Sequence, residues 1–213
     1  MSKTHAEGTS RAVNRAVVKA TLLFSIAALA TLVALATMHP HHPASLASVI
    51  YGACLFLCAL SSFLYTRRAS AASNPLLRHL DHAAIFLLIA GTYTPFAGGG
   101  ITGLFGVSLL TIIWVLALGG VVLRLLIRRG YDRLFVGLYI AIGWIFVTAL
   151  HDITQRIALQ PLVFLGLGAV TYSLGAILFA RDIGRWTDPV WHGCVLAAAF
   201  LHFLAVLSLV LAA

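Results

Sequence analysis

Asp188-Pro189-Val190-Trp191-His192-Gly193-Cys194-Val195-Leu196-Ala197-Ala198-Ala199-Phe200-Leu201-His202 opens the apolar run 189–211 and sets an acid and two histidines into a stretch otherwise suited to hydrocarbon. A helix of about 20 mostly apolar residues is long enough to cross a bilayer. A charged or metal-binding side chain at mid-bilayer costs about 2.5–3.5 kcal/mol, so such a group faces a protein interior or a cavity. Asp188 and His192 are four apart, which stacks them on one helical face. That spacing is one way to offer two ligands to a single metal ion. Asp188 before Pro189 equally fits an N-cap followed by a first helical residue.

The rest of the chain has the same character. Of 213 residues, 61% are apolar and 9% charged, against about 25% charged in a soluble globular domain. Seven apolar runs are long enough to span: 20–38, 45–65, 82–98, 103–125, 134–150, 159–180 and 189–211. The expected fold class is therefore an all-α membrane protein, a bundle of seven transmembrane helices. The first run continues into His39-Pro40-His41-His42-Pro43 and not into a small-residue cleavage site, so no signal peptide is expected to be removed. The net charge of +8 does not point to nucleic acid, because the basic residues lie in short segments between the runs, where they orient the spans and meet anionic headgroups. Cys54, Cys58 and Cys194 all fall inside apolar runs, and an odd number argues for packing over a disulfide framework.

Basic residues set the orientation. Lys3, Arg11, Arg15 and Lys19 precede the first span; Arg67, Arg68 and Arg78 separate the second and third; Arg124, Arg128, Arg129 and Arg133 separate the fourth and fifth; Arg181 and Arg185 separate the sixth and seventh. Of fourteen basic residues, only Arg156 falls on the other side. The positive-inside rule then predicts a cytoplasmic N-terminus and an external C-terminus. Residues 1–18 read as a polar, disordered cytoplasmic tail and 19–213 as a single transmembrane domain. Gly98-Gly99-Gly100 reads as an outer turn, and Gly168 and Gly175 as small faces for close helix approach.

With the spans oriented, three separated polar groups share one depth. Ser62, Tyr65 and Thr66 close the second span, Asp81 and His82 open the third, and Asp188 and His192 open the seventh, all on the predicted cytoplasmic side. Facing side chains of a helix bundle commonly build a metal or ligand site. Asp81 can alternatively cap its helix, and Arg78 and His79 read as interfacial. The outer cluster His39, His41 and His42 is a full hydrocarbon layer of about 30 Å away and reads as a polar turn.

These residues carry a family resemblance. Leu80-Asp81-His82 running into Ile89-Ala90-Gly91-Thr92-Tyr93-Thr94-Pro95 resembles the third helix of bacterial hemolysin III proteins, which belong with the progestin and adiponectin receptors. Ser62-Phe63-Leu64-Tyr65, Gly143-Trp144, Tyr172-Ser173-Leu174-Gly175-Ala176 and Trp191-His192 through Phe203 occur in the family's order over nearly the whole chain. The resemblance implies a bacterial inner-membrane protein and a zinc ion held by a histidine closing the second helix and two histidines opening the seventh. It also implies a serine and an aspartate around the zinc-bound water. Mapped here, Ser62 and Asp81 are the catalytic candidates and His192 a metal ligand. Asp188, a second candidate ligand, and Thr66 stand where the family has histidines, and His82 or His79 are possible substitute ligands. Two functions are consistent with the resemblance. One is a zinc-dependent, ceramidase-like hydrolase of membrane-lipid amides with an altered site; the other is a non-catalytic protein of lipid sensing, membrane homeostasis or permeability. A released cytolysin ranks lowest for a bundle with short loops and no secretion signal.

Overall fold

The computed structural model describes residues 2–67, 75–99, 103–127 and 131–212, the side chains of 2–6, 43, 98 and 99 excepted. Its helices are α1 (Ser2–Met38), α2 (Pro43–Arg67), α3 (Pro75–Gly99), α4 (Gly103–Leu126), α5 (Asp132–Gly143), α6 (Leu150–Thr154), α7 (Leu159–Arg181) and α8 (Thr187–Leu211). Among the described residues, seven segments are long and apolar enough to span a membrane; the fifth, Asp132–Thr154, comprises α5, a 3-10 turn and α6. Successive helices α1 to α4 pack side by side, α7 packs on α8, and α8 returns to α1. Tyr51, Phe86, Phe135, Leu32 and Ile113 are among the fully buried side chains of the core. Small residues set the helix spacing: a Cβ on Gly91 would lie 2.7 Å from the Cys54 Cβ, and one on Gly175 2.6 Å from the Cys194 Cβ. The three cysteines are free, as packing residues.

Several expectations need correction. Residues 2–18 are not a disordered tail but the first turns of α1. Alanine, arginine and lysine favour helix there, Arg11 pairs with Glu7 one turn back, and Ser10 and Val18 are buried against the bundle. Asp81 does not cap α3, since that helix starts six residues earlier at Pro75. Nor does Asp188 cap α8, which begins at Thr187 with no side-chain capping bond. The turn before it is instead built on Asp182, a left-handed residue at φ 50°. Its Oδ1 accepts from the Gly184 N–H at 3.3 Å and from the Thr187 hydroxyl at 2.9 Å. Gly98 and Gly99 belong to α3, and Gly100 lies outside the described residues. The polar-turn reading of the histidine cluster holds: Ser45 Oγ donates to the His39 carbonyl and the Ala44 N–H to His42 Nδ1.

The fifth span is broken in its middle. After Gly143 the chain tightens into a 3-10 turn, Ile145–Ala149. Non-helical backbone at membrane depth persists only where protein or a cavity satisfies it. Here Tyr93 on α3 does so: its hydroxyl meets the carbonyls of Ile142 and Gly143, each at 3.0 Å, and accepts the Phe146 N–H at 2.8 Å.

Candidate functional site

The polar groups predicted to share one depth gather at the arginine-rich end, where α2 ends and α3 and α8 begin. Ser62 Oγ donates to Asp81 Oδ1 at 2.5 Å, tying α2 to α3. Asp81 is 6% exposed, and a carboxylate removed from water needs such a donor. Asp188 is exposed on the first turn of α8, within electrostatic reach of both Asp81 and Tyr65.

His192, one turn further along, is buried. Its Nδ1 lies 2.7 Å from Asn14 Oδ1 on α1, and the Asp188 backbone accepts from the same ring. Both partners are oxygen acceptors, so Nδ1 carries the proton and Nε2 presents a bare lone pair. Among the described residues that Nε2 is buried without a hydrogen-bond partner, and so is Thr66 Oγ1 near the end of α2. Buried polar atoms are nearly always bonded, which makes these two exceptions at this end of the bundle.

His79 is buried, and its Nδ1 bonds the Pro75 carbonyl of its own helix. His82 faces a different cluster. Its Nδ1 meets the Arg124 guanidinium and lies 3.9 Å from Asp132 Oδ1, and its ring stands edge-on to Phe179. Arg124 and Arg78 each contact one Asp132 oxygen at 2.8 Å, joining α3, α4 and α5. Arg124 is almost wholly buried and lies over the Phe135 ring at 4.7 Å.

Sequence reasoning missed Asn14 and this ion-pair cluster. Asn14 carried no signal beyond being polar on an assumed tail. Arg124 did carry one, as a charge inside the apolar run 103–125 with Asp132 an isolated acid in a basic connection.

The usual catalytic zinc set is not assembled among the described residues. Three strong protein ligands and a water form the usual catalytic zinc site. Here the buried side-chain atoms without a partner are one imidazole nitrogen and one threonine hydroxyl, and the Asp188 carboxylate is exposed. Among the described residues, no three His, Cys, Asp or Glu side chains are grouped to hold a metal ion.

A bundle of seven apolar spans with buried polar groups gathered at one end defines an integral, multi-pass membrane protein. The family model described as Haemolysin-III related matches residues 19–203. Hemolysin-3 of Bacillus cereus is 35% identical over 189 residues, covering 89% of this chain and 86% of that protein. The Hemolysin-3 homolog of Bacillus subtilis (strain 168) is 32% identical over 186 residues, 87% of each. The chain belongs to the hemolysin III family.

Proposed function

We propose that this protein is a non-catalytic lipid-binding protein of a bacterial inner membrane, with its N-terminus in the cytoplasm. It takes a lipid headgroup at the polar end of the bundle, where Ser62, Thr66, Asp81 and His192 lie. One observation carries this reading: Thr66 Oγ1 and His192 Nε2 are buried and bare, while Ser62, Asp81 and the other ring nitrogen of His192 are bonded. A hydroxyl that can donate and a lone pair that can only accept suit the mixed donors and acceptors of a polar headgroup. The basic residues around this end favour anionic lipid. Lipid sensing or control of membrane permeability is a natural consequence of such binding; release as a cytolysin is not.

The test is lipid retention. Protein purified in mild detergent and extracted for mass spectrometry is expected to carry a defined lipid, reduced about tenfold in Thr66→Val/His192→Phe, which deletes both bare atoms. An identical lipid complement in the two proteins would overturn the reading.

A second reading, zinc-dependent hydrolysis of a lipid amide, is favoured by the His192 tautomer. A metal-binding histidine typically donates its other ring N–H to an oxygen, as Nδ1 does here toward Asn14. Metal content separates the two readings.

A further inference from the structure

Among the described residues, six of the spans each cross on one α-helix, whereas Asp132–Thr154 crosses on two arms, α5 and residues 145–154, joined at Gly143 and Trp144. The inner arm is tied to the bundle by polar bonds. Asp132 pairs with Arg78 and Arg124 at 2.8 Å each, and the Tyr139 hydroxyl donates to the His82 carbonyl at 2.9 Å. The hydroxyls of the outer arm turn back on their own backbone, Thr148 to the Ile145 carbonyl and Thr154 to the His151 carbonyl. Its buried residues, Ala149 and Ile153, are apolar, and apolar contact is not directional.

One side chain holds the joint. The Ile142 and Gly143 carbonyls both lie 3.0 Å from the Tyr93 hydroxyl, which has a single hydrogen to give. The same oxygen accepts the Phe146 N–H at 2.8 Å. A single hydroxyl thus links the last turn of α5 to the start of the outer arm, and its hydrogen can pass between two equidistant carbonyls without the bond being lost.

The joint also has room beside it. A cavity of about 100 Å³ with almost entirely apolar walls borders both arms, through Ile140 and Gly143 on one and Phe146 and Ile153 on the other. Side chains beside a void lack partner atoms on that side, so a shift there gives up little packing. A Cβ on Gly143 would meet nothing within 4 Å. Packing therefore does not require glycine at that position, and its effect is to weaken the end of α5, since only proline is a poorer helix former. Trp144 reaches across to α7, where its Nε1 donates to Ser173 Oγ at 2.9 Å.

We propose that Gly143 and Trp144 form a hinge within the membrane. The outer arm swings against a fixed α5, with the Tyr93 hydroxyl as its pin, the Trp144–Ser173 bond as its stop and the cavity as the space it uses. The hinge stands whether or not the polar end of the bundle binds a headgroup.

The test is hydrogen exchange, read by mass spectrometry on full-length protein in nanodiscs. Amides 144–150 are expected to exchange about tenfold faster than those of α3 at 86–92 and of α7 at 167–173, with little dependence on denaturant, because a local opening exposes little surface. Tyr93→Phe, which removes the pin and keeps the ring, should speed them about tenfold more, the effect of one net hydrogen bond, and leave 133–141 unchanged. Gly143→Ala should slow them about two- to fivefold by stiffening the joint. Equal protection in both arms of the natural protein, a Tyr93→Phe variant that loosens both arms alike, or exchange undiminished in Gly143→Ala would overturn the proposal and leave a rigid kink. Gly143→Ala decides alone if Tyr93→Phe does not fold.

Discussion

Ser62 on α2 and Asp81 on α3 are joined by a 2.5 Å hydrogen bond in which the hydroxyl donates to a buried carboxyl group. They are nineteen residues apart in sequence, and the bond fixes the register of the two helices at the end where the polar groups gather. Hydrogen bonds to charged groups contribute about 1.5–3 kcal/mol, and more is lost when the charged partner stays buried and unbonded. Ser62→Ala is therefore expected to destabilise by about 2 kcal/mol, while Ser62→Ala added to Asp81→Leu should cost little further. Thermal unfolding in a fixed detergent measures both, and additive losses would mean that Asp81 draws its support elsewhere.

The N-terminal turns of α1 belong to the bundle through Asn14, which holds Nδ1 of His192 at 2.7 Å. Deletion of residues 1–18 should lower the unfolding temperature and reduce lipid retention. Asn14→Ala should reproduce part of both effects, since the imidazole loses its anchor. A deletion as stable and as lipid-loaded as the full chain would show that these turns only lie alongside.

Arg124, Arg78 and Asp132 predict a non-additive pattern. Removing one partner of a buried pair leaves an uncompensated charge and costs about 3–5 kcal/mol, whereas replacing both with apolar groups is often nearly neutral. Asp132 is partly exposed, so Asp132→Ala is expected near the lower end of that range. Arg124→Met/Asp132→Ala should recover most of the loss. Unfolding of the two variants under the same conditions checks the order, and a double variant weaker than the single would contradict it.

The spans were legible because length and apolarity alone define them, and the seven predicted runs match the seven spanning segments. Asp81, His192 and Ser62 were legible as polar exceptions within or beside those runs. Their partners were harder to read. Asn14 sits in a segment whose polarity resembles a tail, and only its contact with α8 shows that it is structural. The capping readings of Asp81 and Asp188 failed because α3 and α8 begin before the apolar runs do, with Pro75 and Thr187 supplying the first residues. The break after Gly143 has no proline to announce it; it exists because Tyr93, fifty residues earlier, accepts and returns its backbone bonds.

Orientation is set by charge and is tested by fusion. A reporter active only outside the cytoplasm should be active after Ala213, and one active only inside should be active after Arg129. The opposite result would place the Asp81 and His192 pocket at the outer face.

Zinc content is the most direct measurement of the central claim that this pocket binds lipid without a resident metal. Protein purified without chelator and analysed by elemental mass spectrometry is expected to carry far less than one zinc per chain. Thr66→His/Asp188→His, which would build the three imidazoles that the family resemblance implies, should raise it toward one, and His192→Ala in that background should remove it again. About one zinc per chain in the natural protein, lost on His192→Ala, would contradict the account and establish a metal site built on His192.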